Sequence, residues 1–119
     1  MHLKLVLVAQ VHGKGGLLMF PKQVKVAGVV YTVKEEPFIE INSNRNYQGA
    51  CYYDKTQIFI LEDISDERKE QVFVHELTHA IFHEAGFDEQ DEDVINRIGI
   101  ILHQVLKDNN LSLTTLNTN

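Results

Sequence analysis

A chain of 119 residues is the length of one domain, and with 44% of them apolar it can bury a core. A formal charge of −6 with no basic cluster argues against a phosphate-tracking nucleic-acid binder. The longest unbroken apolar run, Leu5–Ala9, is too short for a secretory leader or for the ~20 residues that cross a bilayer. Cys51 is the only cysteine and can form no intrachain disulfide, so a cytoplasmic protein with no membrane partner is expected.

Residues 3–11 are rich in β-formers and end at Gly13-Lys14-Gly15-Gly16. They read either as an edge strand or as part of an N-terminal extension over residues 1–18, because Met19-Phe20-Pro21-Lys22 offers a second start within the single 119-residue domain. The glycines make a turn and not a phosphate loop, which would need Ser or Thr after the lysine where this chain has Gly15. Residues 24–26 and 29–33 flank Ala27-Gly28 and predict a β-hairpin. Beyond Pro37, Ile39-Glu40-Ile41 is expected as a short strand and residues 42–48 as polar loop. A second hairpin is expected from residues 50–53 and 58–61, joined by Asp54-Lys55-Thr56-Gln57. Its first arm makes Cys51 a small apolar filler and not a nucleophile.

From Ser65 the pattern becomes helical. Ser65 is a good N-cap, Asp66 and Glu67 suit the first turn, and Gly86 suits the C-terminal end. Val74, Leu77 and Ile81 recur at helical spacing, widened by Phe73, Ala80 and Phe82. After an acidic stretch, residues 88–93, a second helix carries Val94, Ile98, Ile101, Leu102 and Val105 and stops near Asn109-Asn110. Residues 111–119 show little periodicity and are expected to be a flexible, frayed tail. Strands followed by two helices indicate an α+β fold.

The chemistry lies in His75-Glu76-Leu77-Thr78-His79. Two histidines four residues apart project from one face of a helix, within reach of one ion. Glu76 then stands beside the ion as a base and not as a ligand, and Zn²⁺ suits two imidazoles plus a carboxylate with a fourth position open. Two surface histidines on an amphipathic helix would be the plain alternative, but the motif is flanked by Val74, Leu77, Ala80 and Ile81. For the third ligand, His83 lies ~12 Å from His75 along a straight helix, too far for one ion with ~2 Å bonds. Glu92 can return across the Gly86 turn, and neighbouring Glu89 and Asp91 offer the same chemistry. Glu92, Asn96, Gly99 and His103 share one face, and a glycine inside a helix, costing ~1 kcal/mol relative to Ala, implies close packing there.

The pentad, with His83 four residues on and then Glu92-Asp93-Val94-Ile95-Asn96, resembles the ImmA/IrrE family of metallopeptidases of phages and mobile elements. The resemblance covers about residues 47–105, including the strand at 57–61, with Ile95 where the family has Ala. It implies a zincin-like minimal domain: a small twisted β-sheet, an active-site helix, and a second helix whose Glu92 is the third zinc ligand. Neither a DNA-binding domain nor the Leu-Met-Pro segment of many relatives accompanies it, so no repressor substrate is implied.

The expected function is therefore a zinc-dependent peptidase. Metal-activated water attacks a peptide or protein substrate, Glu76 is the general base, and the substrate adds as a strand to the edge of the second hairpin. The alternative is a catalytically silent, zinc-stabilised binding or regulatory module encoded by a phage or mobile element. A metal-free helical interaction protein is a third reading. Glu76 favours the first, because a structural zinc site needs no base and closes its fourth position with Cys or His. The sequence does not specify an oligomeric state.

Overall fold

The computed structural model describes residues 5–9 and 20–115. The expected Gly-Lys-Gly-Gly turn and the second start at Met19 lie outside them. The chain runs β1 (Leu5–Ala9), β2 (Gln23–Val26), β3 (Val29–Glu36), β4 (Gly49–Tyr52), β5 (Gln57–Leu61), α1 (Asp66–Glu84), α2 (Glu92–Asp108) and β6 (Leu111–Thr115). Four strands form a mixed sheet in the order β2-β3-β5-β4, antiparallel except for the parallel β3–β5 pair. A sheet followed by two helices is the expected α+β arrangement.

The first hairpin follows from its turn. Ala27 and Gly28 both have positive φ (54° and 83°), which matches the twist of the flanking strands. Period-2 alternation buries Val24 and Val26 on β2 and Tyr31 and Val33 on β3. The second hairpin forms within one residue of its expected bounds, turning through Tyr53 to Thr56. Its return strand inserts between β3 and β4, which leaves β4 at the sheet edge.

Between the hairpins, the strand expected at Ile39-Glu40-Ile41 is absent. Pro37 lacks an N–H, Ile39 is buried as a plug, and Asn42 and Ser43 (φ 52° and 64°) fold Ile41 back onto Asn44 in an isolated bridge. Arg45 closes this loop by lying over the Phe38 ring and pairing with Glu40.

α1 contacts β2, β4 and β5 on one side and α2 on the other. Being covered on both sides, it buries Val72, Phe73, Val74, Leu77 and Ala80 around its circumference. Ser65 caps it, its Oγ accepting from Arg68 N–H. At the far end Gly86 (φ 99°) closes a Schellman motif: Gly86 N–H donates to His83 O and Phe87 N–H to Phe82 O. The Phe82 and Phe87 rings pack across that motif. Tyr31 ties the first hairpin to the same turn by donating its hydroxyl to Glu84 at 2.7 Å.

α2 packs on α1 through Ile95, Gly99, His103 and Leu106. Gly99 gives the close approach expected of it, since a Cβ there would meet Thr78 Oγ1 at 3.4 Å and the His75 backbone at 3.6 Å. Val94, Ile98, Ile101 and Val105, which carry the apolar signal in the sequence, lie on the exposed side.

The chain after α2 departs from expectation. Within the segment 111–119 expected to be a frayed tail, Leu111–Thr115 pairs antiparallel with β1, Leu7 opposite Leu113, and residues 116–119 lie outside the described residues. The Leu-Ser-Leu-Thr-Thr alternation has a period of two, and its partner lies at the other end of the chain, out of reach of any local pattern. β1 is accordingly a strand. No helix among the described residues is long and apolar enough to cross a membrane.

Candidate metal centre

His75 and His79 stand one turn apart on the face of α1 that meets the start of α2, their ring centroids 5.0 Å apart. The Gly86 turn brings Glu92, the first residue of α2, to both rings. Its Oε1 lies 3.0 Å from His75 Nε2 and its Oε2 3.3 Å from His79 Nε2. One donor atom from each of the three residues falls within 4.8 Å of the other two. A tetrahedral ion with ~2 Å bonds holds its donors roughly 3.3 Å apart, so two imidazoles and a carboxylate so gathered fit zinc in both chemistry and spacing.

The other candidates are placed elsewhere. His83 is exposed and stacks on Tyr53, centroids 4.1 Å apart and planes within 5°. Asp91 caps α2, accepting from Asp93 N–H, and Asp93 pairs with Arg97. Among the described residues, Glu89 belongs to no such group either.

Glu76 lies at the base of the site with 8% of its surface exposed. Burial pushes its carboxyl up to about 7; nearby His79 opposes the shift and Glu92 adds to it. A carboxyl that titrates near neutrality can both take and return a proton. Burial also lowers the pKa of His75, helped by His79 and opposed by Glu92, so that imidazole is held in the neutral form that ligates metal. Cys51 moves the other way: burial, with the charges of Glu76 and Glu84, pushes its thiol up to about 12, and it is no nucleophile.

Two residues that the sequence reading passes over shape the site. Gly49 lies under α1, where a Cβ would overlap Val72 and come within 3.1 Å of Glu76 Oε2. Only a glycine lets β4 approach Glu76 so closely; a glycine at the start of an apolar strand is the one signal the sequence gives. Gln90 lies just ahead of α2, its Oε1 2.6 Å from His79 Nδ1. A glutamine is not a zinc-ligand type, so ligand spacing in the sequence gives no signal for it.

A cleft of roughly 630 Å³ opens beside the site, with His75, Glu76 and Gln71 of α1 facing Asn96 and His103 of α2 and with Gly49 of β4 at its foot. His103 is buried against Glu70, Nε2 to Oε1 3.3 Å, with Lys107 nearby. The cleft thus runs from the start of the edge strand at Gly49 to Glu76 and His75.

The model of a peptidase family, described as the IrrE N-terminal-like domain, matches residues 22–102. That span covers the four-stranded sheet, α1 and most of α2. Neither the curated proteins nor the solved structures yield a match.

Proposed function

The chain belongs to the peptidase family of IrrE N-terminal-like domains, and from that premise we propose that it is a zinc-dependent peptidase. His75, His79 and Glu92 hold the ion and Glu76 is the general base. The observation that carries the reading is the convergence of the three ligand side chains beside one deeply buried carboxyl.

Zinc, when bound, supplies Lewis acidity that polarises a peptide carbonyl and makes a water easier to deprotonate. Glu76 accepts a proton from that water as its oxygen bonds to the carbonyl carbon. The C–N bond then breaks, and Glu76 delivers the proton to the leaving nitrogen, returning to the carboxylate. Gly49 keeps β4 against Glu76, so the edge of the sheet and the base share one end of the cleft. An extended peptide or protein segment adds to β4 as a further strand, its carbonyls lying along the line that leads to the histidines.

Protein prepared without a chelating tag is expected to carry about one zinc per chain, as a single three-ligand site requires. Digestion of a peptide library, read by mass spectrometry, should yield products with the wild type and none with Glu76→Gln. Protein that neither carries nor takes up zinc would overturn the reading. A zinc-loaded wild type that cuts no peptide would favour a silent, zinc-stabilised binding or regulatory module.

A further inference from the structure

His79 is approached from both sides by residues only two positions apart. Glu92 Oε2 stands 3.3 Å from its Nε2, and Gln90 Oε1 stands 2.6 Å from its Nδ1. We propose that Gln90 is the positioning residue of this centre: it fixes the tautomer and ring orientation of His79, leaving the Nε2 lone pair aimed at the ion. The inference rests on the zinc reading above.

The orientation of the Gln90 amide follows from what its other end touches. Gln90 Nε2 lies 3.3 Å from the His79 backbone carbonyl, which can only accept a hydrogen bond. The NH₂ group must therefore face that carbonyl, which turns Oε1 toward the imidazole. Oε1 can only accept, so the ring nitrogen 2.6 Å away carries the proton. In a neutral imidazole the other nitrogen then bears the lone pair, the form a metal takes. Side chain and backbone of one residue are thus gripped by one amide, which blocks both a ring flip and a tautomer change.

The amide is itself held. It faces the Tyr53 hydroxyl, partly opposing the upward push that burial gives that phenol, and Tyr53 stacks on His83 one turn beyond His79. The turn of the second hairpin, the end of α1 and the approach to α2 therefore meet at Gln90. No comparable partner reaches His75 Nδ1 among the described residues, so the two histidines are not equivalent: His79 is gripped at Nδ1, whereas the side-chain hydrogen-bond partner of His75 is Glu92 at Nε2. Such outer partners are worth about tenfold to a hundredfold in metal affinity.

Two measurements test this. The first needs no zinc. In metal-free protein Glu92 competes for a proton at Nε2, so the tautomer is read in the Glu92→Ala background by imidazole ¹⁵N correlation spectra well above the ordinary imidazole pKa. His79 is expected as the Nδ1–H tautomer there and is expected to lose that preference when Gln90→Leu is added. His79 found as Nε2–H with Gln90 intact would overturn the proposal. The second is zinc affinity by chelator competition in otherwise wild-type protein. Gln90→Leu should lose about tenfold to a hundredfold, and Gln90→Glu, which keeps an acceptor oxygen at Nδ1, should restore most of it. Equal affinity in wild type and Gln90→Leu would also overturn it. Wild-type protein that binds no zinc overturns the zinc reading and the positioning role together, while the tautomer spectra still show whether the clamp exists.

Discussion

Burial shifts the titration of the Glu76 carboxyl, and the consequence can be measured before any substrate is known. Its carboxyl is raised from 4.5 to about 7, so the folded protein prefers it protonated. Such a group costs nothing below its unfolded pKa, a growing amount between the two values, and its full amount above the folded one. Metal-free wild type is therefore expected to lose stability through this group as pH rises across that window. Glu76→Gln, similar in shape and uncharged, removes the loss. Metal-free Glu76→Gln should melt above metal-free wild type at about pH 8 and together with it at about pH 4. Curves that coincide at both would show that the carboxyl is better solvated than its burial implies. The proposed role of Glu92 as third ligand is tested at the same scale. Glu92→Ala should weaken zinc binding by orders of magnitude, while His83→Ala, which removes a ring stacked on Tyr53, should cost no more than about tenfold. The reverse ranking by chelator competition would move the site to the end of α1. His75, Glu76 and His79 were legible in the sequence because helical spacing fixes their relation locally. Glu92 needed the Gly86 turn and a resemblance to choose it among several acids. Gly49 and Gln90 were illegible because their roles exist only in contacts made across the fold.

At the scale of elements, α2 shows where periodicity misleads. Its most conspicuous apolar residues, Val94, Ile98, Ile101 and Val105, lie 39–57% exposed, while Ile95, Gly99, His103 and Leu106 meet α1. The packed side contains a glycine and a histidine, so it scores as the less apolar side although it is the tighter one. Close approach at Gly99 and the His103–Glu70 contact take the place of bulk. The two faces should respond differently to substitution. Ile101→Gln is expected to change stability by no more than about 0.5 kcal/mol. Ile95→Ala, at a fully buried position, is expected to cost about 2–5 kcal/mol. Denaturant melts of the two variants check this; a large loss in Ile101→Gln would mean that the exposed stripe is covered in solution. The hairpins and both helix ends were legible because turn residues and caps announce them. β6 was not, because a five-residue strand is defined by its partner, β1, nearly the whole chain away.

For the whole molecule, the connection of α2 to the remainder sets what metal removal should do. Among the described residues α2 touches only α1 and β6, whereas the sheet is tied to α1 along β4 and β5 and again through Tyr31 and Glu84. The start of α2 carries the exposed carboxylate of Glu92, and there α1 and α2 are held by polar contacts from Gln90 and Glu92. An ion shared by His75, His79 and Glu92 would pin that junction from both sides. At a thousandfold excess over its Kd, a ligand that binds only the folded state adds about 4 kcal/mol. The gain should not be uniform. Zinc-free protein is expected to melt lower than zinc-loaded protein. Its amide exchange should accelerate chiefly from Phe87 to Ile98, while β3 and β5 keep their protection, because local opening follows the least buried contacts. Hydrogen exchange read by mass spectrometry, before and after removal of zinc with dipicolinate, resolves the two regions. Equal acceleration in β3 and β5 would mean that the sheet and the helix pair open as one unit, with the ion stabilising the fold globally and not at the junction it joins.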